Sequence, residues 1–174
     1  MAAPRMPTAR EEVRIERLAP LRGRAPPRRL RPVTVAAEAE TPKIDAAEFV
    51  ALITSTIPMT REMPFRVVEL GWGLATIELA FHERQLRAGG TLSGPTLMTL
   101  ADTALYAAVL TRIGLEPLAV TSELSIHFLR KPAPAPLVAT AKVLRVGRKI
   151  AVGTIEIASE GRLVAHATGS YARP

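Results

Sequence analysis

The segment that most constrains the fold of this chain is residues 94–112. It predicts a helix that is apolar on almost every side. Ser93 predicts an N-cap, and the proline after Gly94 suits the first helical turn, where its missing N–H costs nothing. Gly114 predicts the C-terminal end. A helix that is apolar all round is a buried helix. The rest of the chain must therefore wrap around it, and the single acid inside it, Asp102, needs a partner or a function.

The segments on either side of this helix predict one shorter helix and six strands. The shorter helix begins at a capping Asp45 and ends before Pro58, and the strands cover residues 65–69, 74–81, 118–129, 137–146, 150–158 and 163–171. The last three strands are joined by short turns, which is typical of an antiparallel meander. One long buried helix with these strands predicts an α+β fold, in which a curved antiparallel sheet of five or six strands wraps around the central helix.

The strand predicted over residues 118–129 has the clearest alternation of apolar and polar side chains. One set consists of Val120, Leu124, Ile126 and Phe128, and the other of Thr121, Glu123, Ser125 and His127. The two sets are therefore expected on opposite faces of the sheet.

The positive charge of the chain is concentrated in residues 1–42. This segment holds nine arginines against five glutamates, a balance of +4 within the total of +7, and seven of the fifteen prolines. It predicts a flexible Arg/Pro-rich N-terminal extension ahead of one domain over residues 43–174. We expect no nucleic-acid partner, because a docking motif is missing and four Phe, two Tyr and one Trp offer few stacking platforms. No apolar run is long enough to predict a membrane span.

The residue types that most often build metal and redox sites are scarce. The chain has no cysteine, which excludes disulfides, thiolate nucleophiles and cysteine-ligated zinc. His82, His127 and His166 lie far apart without a metal-binding spacing. We therefore predict no metal and no cofactor. The start of the chain does not resemble a secretory signal, and with the absence of cysteine this predicts a cytoplasmic protein.

Asp102 is the first candidate for chemistry. On a helical projection it shares one polar seam with Thr99, Thr103 and Tyr106. A carboxylate held in a poorly solvated cleft beside hydroxyl groups can act as a general base or as a nucleophile. The same carboxylate could instead only accept hydrogen bonds in a buried polar contact. The periodicity leaves both interpretations open.

Gly94 is the second candidate. Its backbone N–H lies at the positive end of the predicted helix, where an anion or a developing oxyanion is stabilised. A glycine required by a tight turn is the simpler interpretation. Asp102 lies about 12 Å along the helix from its start, which is long for one substrate carbonyl contacted from one helix. A two-fold interface that pairs Gly94 of one subunit with Asp102 of the other would remove this difficulty.

Four motifs follow one another in order within residues 65–171. They are Gly90-x-x-Ser93-Gly94-Pro95-x-x-x-x-Leu100-Ala101-Asp102-x-Ala104, Ala119-Val120-Thr121, Ile126-x-Phe128-Leu129-Arg130 and Val146-Gly147-Arg148-Lys149. In this order and spacing they resemble the PaaI-like family of hot-dog-fold acyl-CoA thioesterases. The resemblance implies a hot-dog fold and a homodimer that continues the sheet across two subunits. It also implies a doubling of this dimer to a homotetramer, with active sites at the dimer interface.

The resemblance also implies roles for individual residues. The helix acid, here Asp102, attacks the thioester or activates water, and the amide of Gly94 polarises the thioester carbonyl. A hydroxyl on the following strand, best matched by Thr121, helps to place the water. Ser93 stands beside the substrate where most members carry histidine, which removes one orienting group.

Four basic residues are candidates for the anionic end of the substrate. The resemblance implies that Arg148 and Lys149, in a predicted turn, meet the phosphates of coenzyme A. Arg130 and Arg87 are the next candidates, and Arg87 stands where most members carry Asn or Gln.

The function implied is that of an acyl-CoA thioesterase, a hydrolase that converts a small or medium acyl-CoA to the free acid and coenzyme A. The alternative is a non-catalytic hot-dog protein that binds acyl-CoA. The presence of Asp102 favours the enzyme, and Ser93 in place of histidine favours the binding protein.

Overall fold

The computed structural model describes residues 40–174, so the predicted extension lies outside the described residues except for residues 40–42. The described elements are α1 (Ala46–Thr56), β1 (Phe65–Gly71), β2 (Leu74–Leu79), β3 (Leu86–Arg87), β4 (Thr91–Leu92), α2 (Gly94–Ile113), β5 (Val120–Phe128), β6 (Leu137–Val146), β7 (Ile150–Ser159) and β8 (Arg162–Ala172). Short 3-10 turns at Pro58–Glu62 and Glu83–Gln85 complete the set. In this part of the chain no helix is long and apolar enough to cross a membrane.

Six strands form one antiparallel sheet in the order β1-β2-β6-β7-β8-β5. Helix α2 lies against one face of this sheet, and the core between them is built from residues of α2, β2, β6, β7 and β8. The predicted α+β architecture, a long helix against an antiparallel sheet in the hot-dog arrangement, is confirmed. The small β3–β4 hairpin was not predicted, because each strand is only two residues long and has no periodicity to detect.

Helix α2 begins and ends where the sequence predicts. Ser93 is the N-cap in extended conformation, Pro95 lies in the first turn, and Gly114 closes the helix with a positive φ of 93°. The Ser93 hydroxyl does not cap the helix backbone, because it lies 2.9 Å from the hydroxyl of Thr96. The middle of the helix, from Ala104 to Thr111, is buried on every side, as expected for a helix that is apolar on almost every side.

Helix α1 begins with the predicted cap. The Asp45 carboxylate accepts a bond from the Glu48 amide at 2.8 Å, and the Glu48 carboxylate accepts one from the Asp45 amide at 2.9 Å. This reciprocal capping box leaves an apolar face with Phe49 and Ile53 buried. The Phe49 ring meets Tyr106 of α2 edge-on at 6.1 Å between centroids. The contact holds the first turn of α1 against the middle of α2.

Two glycines allow α2 to approach the sheet closely. Gly153 of β7 and Gly169 of β8 lie opposite each other in the ladder, both are buried, and the Leu105 side chain fills the space above them. A Cβ at Gly153 would lie 2.5 Å from Leu105 Cδ1 and 2.8 Å from the carbonyl oxygen of Lys142. The leucine could turn away, but the carbonyl belongs to the neighbouring strand and cannot.

We expect Gly153→Ala to lower the free energy of unfolding by about 1–3 kcal/mol, the usual cost of overpacking a close-packed core. Urea titration would measure it as a lower midpoint with an unchanged slope. Gly71→Ala is the matched control, because a Cβ there would meet Leu74 at 3.4 Å, an ordinary contact. A loss no larger than that of the control would contradict the close approach.

Candidate active site

The Asp102 carboxylate is held through one of its two oxygens. Oδ1 accepts a hydrogen bond from Thr121 Oγ1 at 2.7 Å and another from the Tyr171 hydroxyl, also at 2.7 Å. Among residues 40–174 no group donates a hydrogen bond to Oδ2. The side chain is half-buried at the wall of a cavity of about 330 Å³. One carboxylate oxygen is therefore committed to donors, and the other is available to a water molecule or a substrate.

A β-bulge brings Thr121 to this carboxylate. The pairing of β5 with β8 sets Thr121 opposite Tyr171, then shifts so that Glu123 faces Ser170 and Leu124 faces Gly169. The extra residue moves Thr121 onto the side of the sheet that faces α2, the side shared with Leu124. The sequence prediction that Thr121 and Leu124 lie on opposite faces is therefore wrong, because strict alternation takes no account of a bulge.

Tyr171 is a site residue that the sequence analysis missed. Its ring is buried and stacks on Tyr106, with centroids 5.3 Å apart and planes 8° from parallel. Burial raises the pKa of the Tyr171 phenol far above its usual value, and the charge of Asp102 raises it further. Tyr171 therefore stays protonated and acts as a donor. The signal in the sequence was a lone tyrosine on an inward position of a strand of small residues, Ala167 and Gly169.

The cavity at Asp102 is mostly apolar. Tyr106 and Tyr171 form one side, and Ile57, Pro117, Ala119 and Val120 form most of the rest. Burial raises the pKa of the Tyr106 phenol as well, and its hydroxyl donates to the main-chain carbonyl of Glu116 at 3.2 Å. The end of α1 contributes Thr56 and Ile57. The capping and packing of α1 therefore shape the space in front of the carboxylate.

Gly94 lines a different cavity, of about 510 Å³. As the first residue of α2 its N–H has no acceptor within the helix, and no hydrogen bond within residues 40–174 uses it. The ring of Phe128 lies close to it, since a Cβ at this glycine would be 3.3 Å from Phe128 Cζ. Apolar side chains of Leu92, Leu97 and Leu129 complete the walls.

Three cations surround the Gly94 cavity, namely Arg87, Arg130 and Lys131. Arg130 donates to the carbonyl of Leu163 at 3.1 Å, and Lys131 donates to the carbonyl of Gly89 at 3.1 Å. All three side chains are exposed. An anionic group entering this cavity would meet positive charge at its rim and a helix N-terminus at its base.

The structure brings together some of the predicted site residues and separates others. Asp102 and Thr121 meet in one cavity, and Gly94 shares the other with Arg87 and Arg130. Ser93 precedes Gly94, and its hydroxyl is bound to Thr96. Arg148 and Lys149 are exposed in the β6–β7 turn and line neither cavity. Within one chain, Gly94 and Asp102 therefore do not form a common site.

The strand that carries Thr121 lies at an edge of the sheet. Within residues 40–174, β5 pairs only with β8 and leaves its second edge unpaired. Large apolar side chains along and beside it are more than half exposed, including Leu118 at 71%, Val120 at 59% and Phe128 at 54%. An exposed apolar edge strand invites pairing with another strand. Strand β5 runs between the two cavities, since Val120 lines the Asp102 cavity and Phe128 lines the Gly94 cavity.

The histidines stand apart from both cavities. His82 Nδ1 accepts a bond from the Arg84 amide at 3.1 Å, and His127 pairs with His166 across β5 and β8. In the described part of the chain no group of three His, Asp or Glu side chains is placed to hold a metal ion.

Comparison with known proteins places this geometry in context. Residues 89–166 match the model of the thioesterase superfamily. A protein from Saccharolobus solfataricus, whose name describes it as an esterase, is 35% identical over 108 residues, covering 61% of this chain and 76% of that protein. A crystal structure from Silicibacter sp., described as a thioesterase, has 38% identity and a TM-score of 0.70, covering 79% of this chain and 96% of that one. The PaaI protein of the E. coli phenylacetic acid degradation operon has 26% identity and a TM-score of 0.66, covering 74% and 92%.

Proposed function

This chain belongs to the thioesterase superfamily, and from that premise we propose that it hydrolyses a small or medium acyl-CoA to the free acid and coenzyme A. The predicted resemblance to PaaI-like hot-dog thioesterases is confirmed. The observation that carries the proposal is the Asp102 carboxylate, which lines a cavity, is oriented through Oδ1 and has no donor to Oδ2 among residues 40–174.

Asp102 would act in one of two ways. As a general base, Oδ2 would take a proton from a water molecule whose oxygen attacks the thioester carbonyl carbon. As a nucleophile, Oδ2 would attack that carbon itself and form an anhydride, which water then hydrolyses. In both cases the carbon–sulfur bond breaks, and the coenzyme A thiolate leaves and takes up a proton. Thr121, whose proton is donated to Asp102, retains lone pairs that could accept a bond from the attacking water.

The amide of Gly94 would stabilise the negative charge that develops on the thioester oxygen. Because Gly94 and Asp102 line separate cavities of one chain, we propose a homodimer in which each site combines Asp102 with Gly94 of the partner subunit. The unpaired edge of β5 supports this arrangement, since a two-fold pairing there would continue the sheet. A doubling of this dimer to a tetramer is the further expectation from the family.

The cations at the Gly94 cavity would hold the anionic end of coenzyme A. Arg130 and Arg87 have the stronger support, because they share a cavity with the proposed oxyanion donor. Arg148 and Lys149 remain a second proposed contact, reached only by a substrate that extends to the β6–β7 turn. Ser93 remains a proposed neighbour of the substrate through its position before Gly94.

We expect Arg130→Ala to raise KM for an acyl-CoA by about tenfold with little change in kcat. The phosphates do not change during thioester cleavage, so this contact would bind ground state and transition state equally. The effect should shrink with added salt and vanish for a short thioester that lacks the nucleotide. Arg66→Ala is the charge-matched control. Arg66 forms an ion pair with Glu78 and lies on β1, at the opposite edge of the sheet from β5. If Arg148→Ala raises KM and Arg130→Ala does not, the phosphates bind at the turn instead.

A non-catalytic acyl-CoA-binding protein is the second candidate. The observation in its favour is Ser93, which stands in place of the family histidine, has its hydroxyl 2.9 Å from that of Thr96 and does not line the Gly94 cavity. Release of free thiol from a panel of acyl-CoAs, from acetyl to decanoyl with phenylacetyl added, separates the two candidates. Multiple turnovers with at least one member support the enzyme. Saturable binding without thiol release would overturn it and establish the binding protein.

A further inference from the structure

We propose that Tyr171 is a positioning residue that, with Thr121, holds Oδ1 of Asp102 and so leaves Oδ2 as the oxygen that reacts. The inference rests on the proposed function and assigns a role to a residue outside the family motifs. It starts from the two 2.7 Å hydrogen bonds that converge on a single carboxylate oxygen.

The two donors reach Asp102 from different strands. Thr121 belongs to β5 and is exposed, whereas Tyr171 belongs to β8 and is 3% exposed. Thr121 sits at a bulge on an edge strand, where its position depends on the pairing of that strand. Tyr171 lies on an inner strand, between β7 and β5, and its ring is fixed against Tyr106. Tyr171 is therefore the more rigid of the two supports.

The Tyr171 hydroxyl has one proton and two acceptors within reach. The carboxylate oxygen of Asp102 lies at 2.7 Å and the main-chain carbonyl oxygen of the same residue at 3.2 Å. Hydrogen bonds to a charged acceptor are shorter and stronger than bonds to a neutral one. The proton therefore goes to the carboxylate. A single phenol thus fixes the rotation of the Asp102 side chain relative to its own helix.

This arrangement separates the two oxygens chemically. Lone pairs of Oδ1 are engaged by two donors, so Oδ1 is the poorer base and the poorer nucleophile. Oδ2 accepts no hydrogen bond from residues 40–174, and its residue lines the cavity. Hydrogen bonds donated to a carboxylate also favour its charged form over its protonated form. Tyr171 would thus hold the reactive oxygen in place.

The surroundings make a change in ionisation easy to assign. The titratable groups lining this cavity, besides Asp102, are Tyr106 from α2 and Tyr171 from β8. The end of α1 contributes Thr56 and Ile57, and β5 contributes Val120 and Thr121. Glu116, in the loop before β5, lies 3.5 Å from Arg173 and forms an ion pair with it. Both tyrosines titrate far above neutral pH, so the acidic limb of a pH–rate profile would report on the carboxylate.

The test compares Tyr171→Phe with Tyr106→Phe. Each variant loses one hydroxyl and keeps a ring in the stack, but only the Tyr171 hydroxyl donates to Asp102, since that of Tyr106 donates to Glu116. In Tyr171→Phe, the acidic limb of kcat/KM for an acyl-CoA should move to higher pH by about one unit or more. In Tyr106→Phe the limb should stay at its wild-type pH, whatever happens to the maximum rate. A purely structural role for Tyr171 would lower the rate without moving the limb.

A second measurement does not depend on catalysis. The carboxyl carbon of Asp102 can be titrated by NMR in protein labelled with ¹³C-aspartate, with Asp102→Asn used to assign its signal. The midpoint should move to higher pH in Tyr171→Phe and stay unchanged in Tyr106→Phe. An unchanged midpoint in Tyr171→Phe overturns the inference even if the wild type hydrolyses acyl-CoA. If the wild type releases no thiol but the midpoint moves, the hydrogen-bond coupling stands and the proposed function fails.

Discussion

Replacing Asp102 by Asn should lower kcat for thioester hydrolysis by about a hundredfold or more. The amide has nearly the shape of the carboxylate, and its oxygen can accept the bonds from Thr121 and Tyr171. What it lacks is the negative charge and the basic lone pair that either proposed mechanism requires. Steady-state thiol release would measure the loss, and thermal unfolding would show that the fold is retained.

Thr103→Val is the control for this substitution. Thr103 is the next residue on α2 and is half-buried like Asp102, but its hydroxyl donates to the carbonyl of Thr99 at 2.8 Å and lines neither cavity. Turnover should stay within a few-fold of the wild type. If Asp102→Asn also retained activity within a few-fold, another group would be the base, and the binding-protein alternative would gain support.

Replacing Gly94 by Pro should lower kcat by about a hundred- to a thousandfold, the usual cost of removing one oxyanion donor. Proline is favoured at the first position of a helix, and the extended Ser93 before it, with φ of −78° and ψ of 151°, suits a residue that precedes proline. The substitution removes the N–H, but residue 94 itself precedes Pro95, which disfavours helical backbone there. Far-UV circular dichroism and thermal unfolding of the variant must therefore show that α2 is retained. Single-turnover thiol release would separate this loss from any change in substrate binding.

Gly94→Ala is the matched control, because it adds a carbon and keeps the N–H. Its Cβ would lie 3.3 Å from the half-exposed ring of Phe128, which has room to give. Activity within about tenfold of the wild type is expected for alanine. An equal loss in both variants would mean that bulk at this position, and not the missing donor, is responsible.

The same two variants test whether a site is shared between subunits. In a mixed dimer of Asp102→Asn and Gly94→Pro chains, one of the two sites would combine an intact Asp102 with an intact Gly94 of the partner subunit. Random mixing of the two inactive variants should therefore restore about a quarter of the wild-type activity, given two-fold symmetry. Failure to recover activity would mean that both groups act from one chain or that one of the roles is wrong.

The elements that depend on near neighbours were predicted well. The ends of α2 follow from Ser93, Pro95 and Gly114, and its burial follows from apolar side chains on almost every side, all within one stretch of chain. The capping of α1 by Asp45 is equally local. The distance between Gly94 and Asp102 along a helix is also local geometry, and it already indicated that one chain does not bring the two together.

The contacts around Asp102 were predicted less well, because they join distant parts of the chain. Thr121 was matched to the site through the family resemblance, although its strand alternation placed it on the wrong face. Only the register of β5 against β8 shows the bulge that turns it inward. Tyr171 was missed because it is 69 residues from Asp102, and nothing in its own strand indicates which helix residue it meets.

By itself, the sequence determined that a long apolar helix would be wrapped by an antiparallel sheet, that one acid would lie on that helix, and that a glycine amide would begin it. These properties depend on composition and on the periods of helix and strand, which neighbouring residues express without help. Only the tertiary structure decided that Oδ1 of Asp102 would be held by Thr121 and Tyr171 and that Oδ2 would have no donor in the described part of the chain. A hydrogen bond at 2.7 Å depends on the register and depth of strands packed on the helix, and those are decided by the whole core at once.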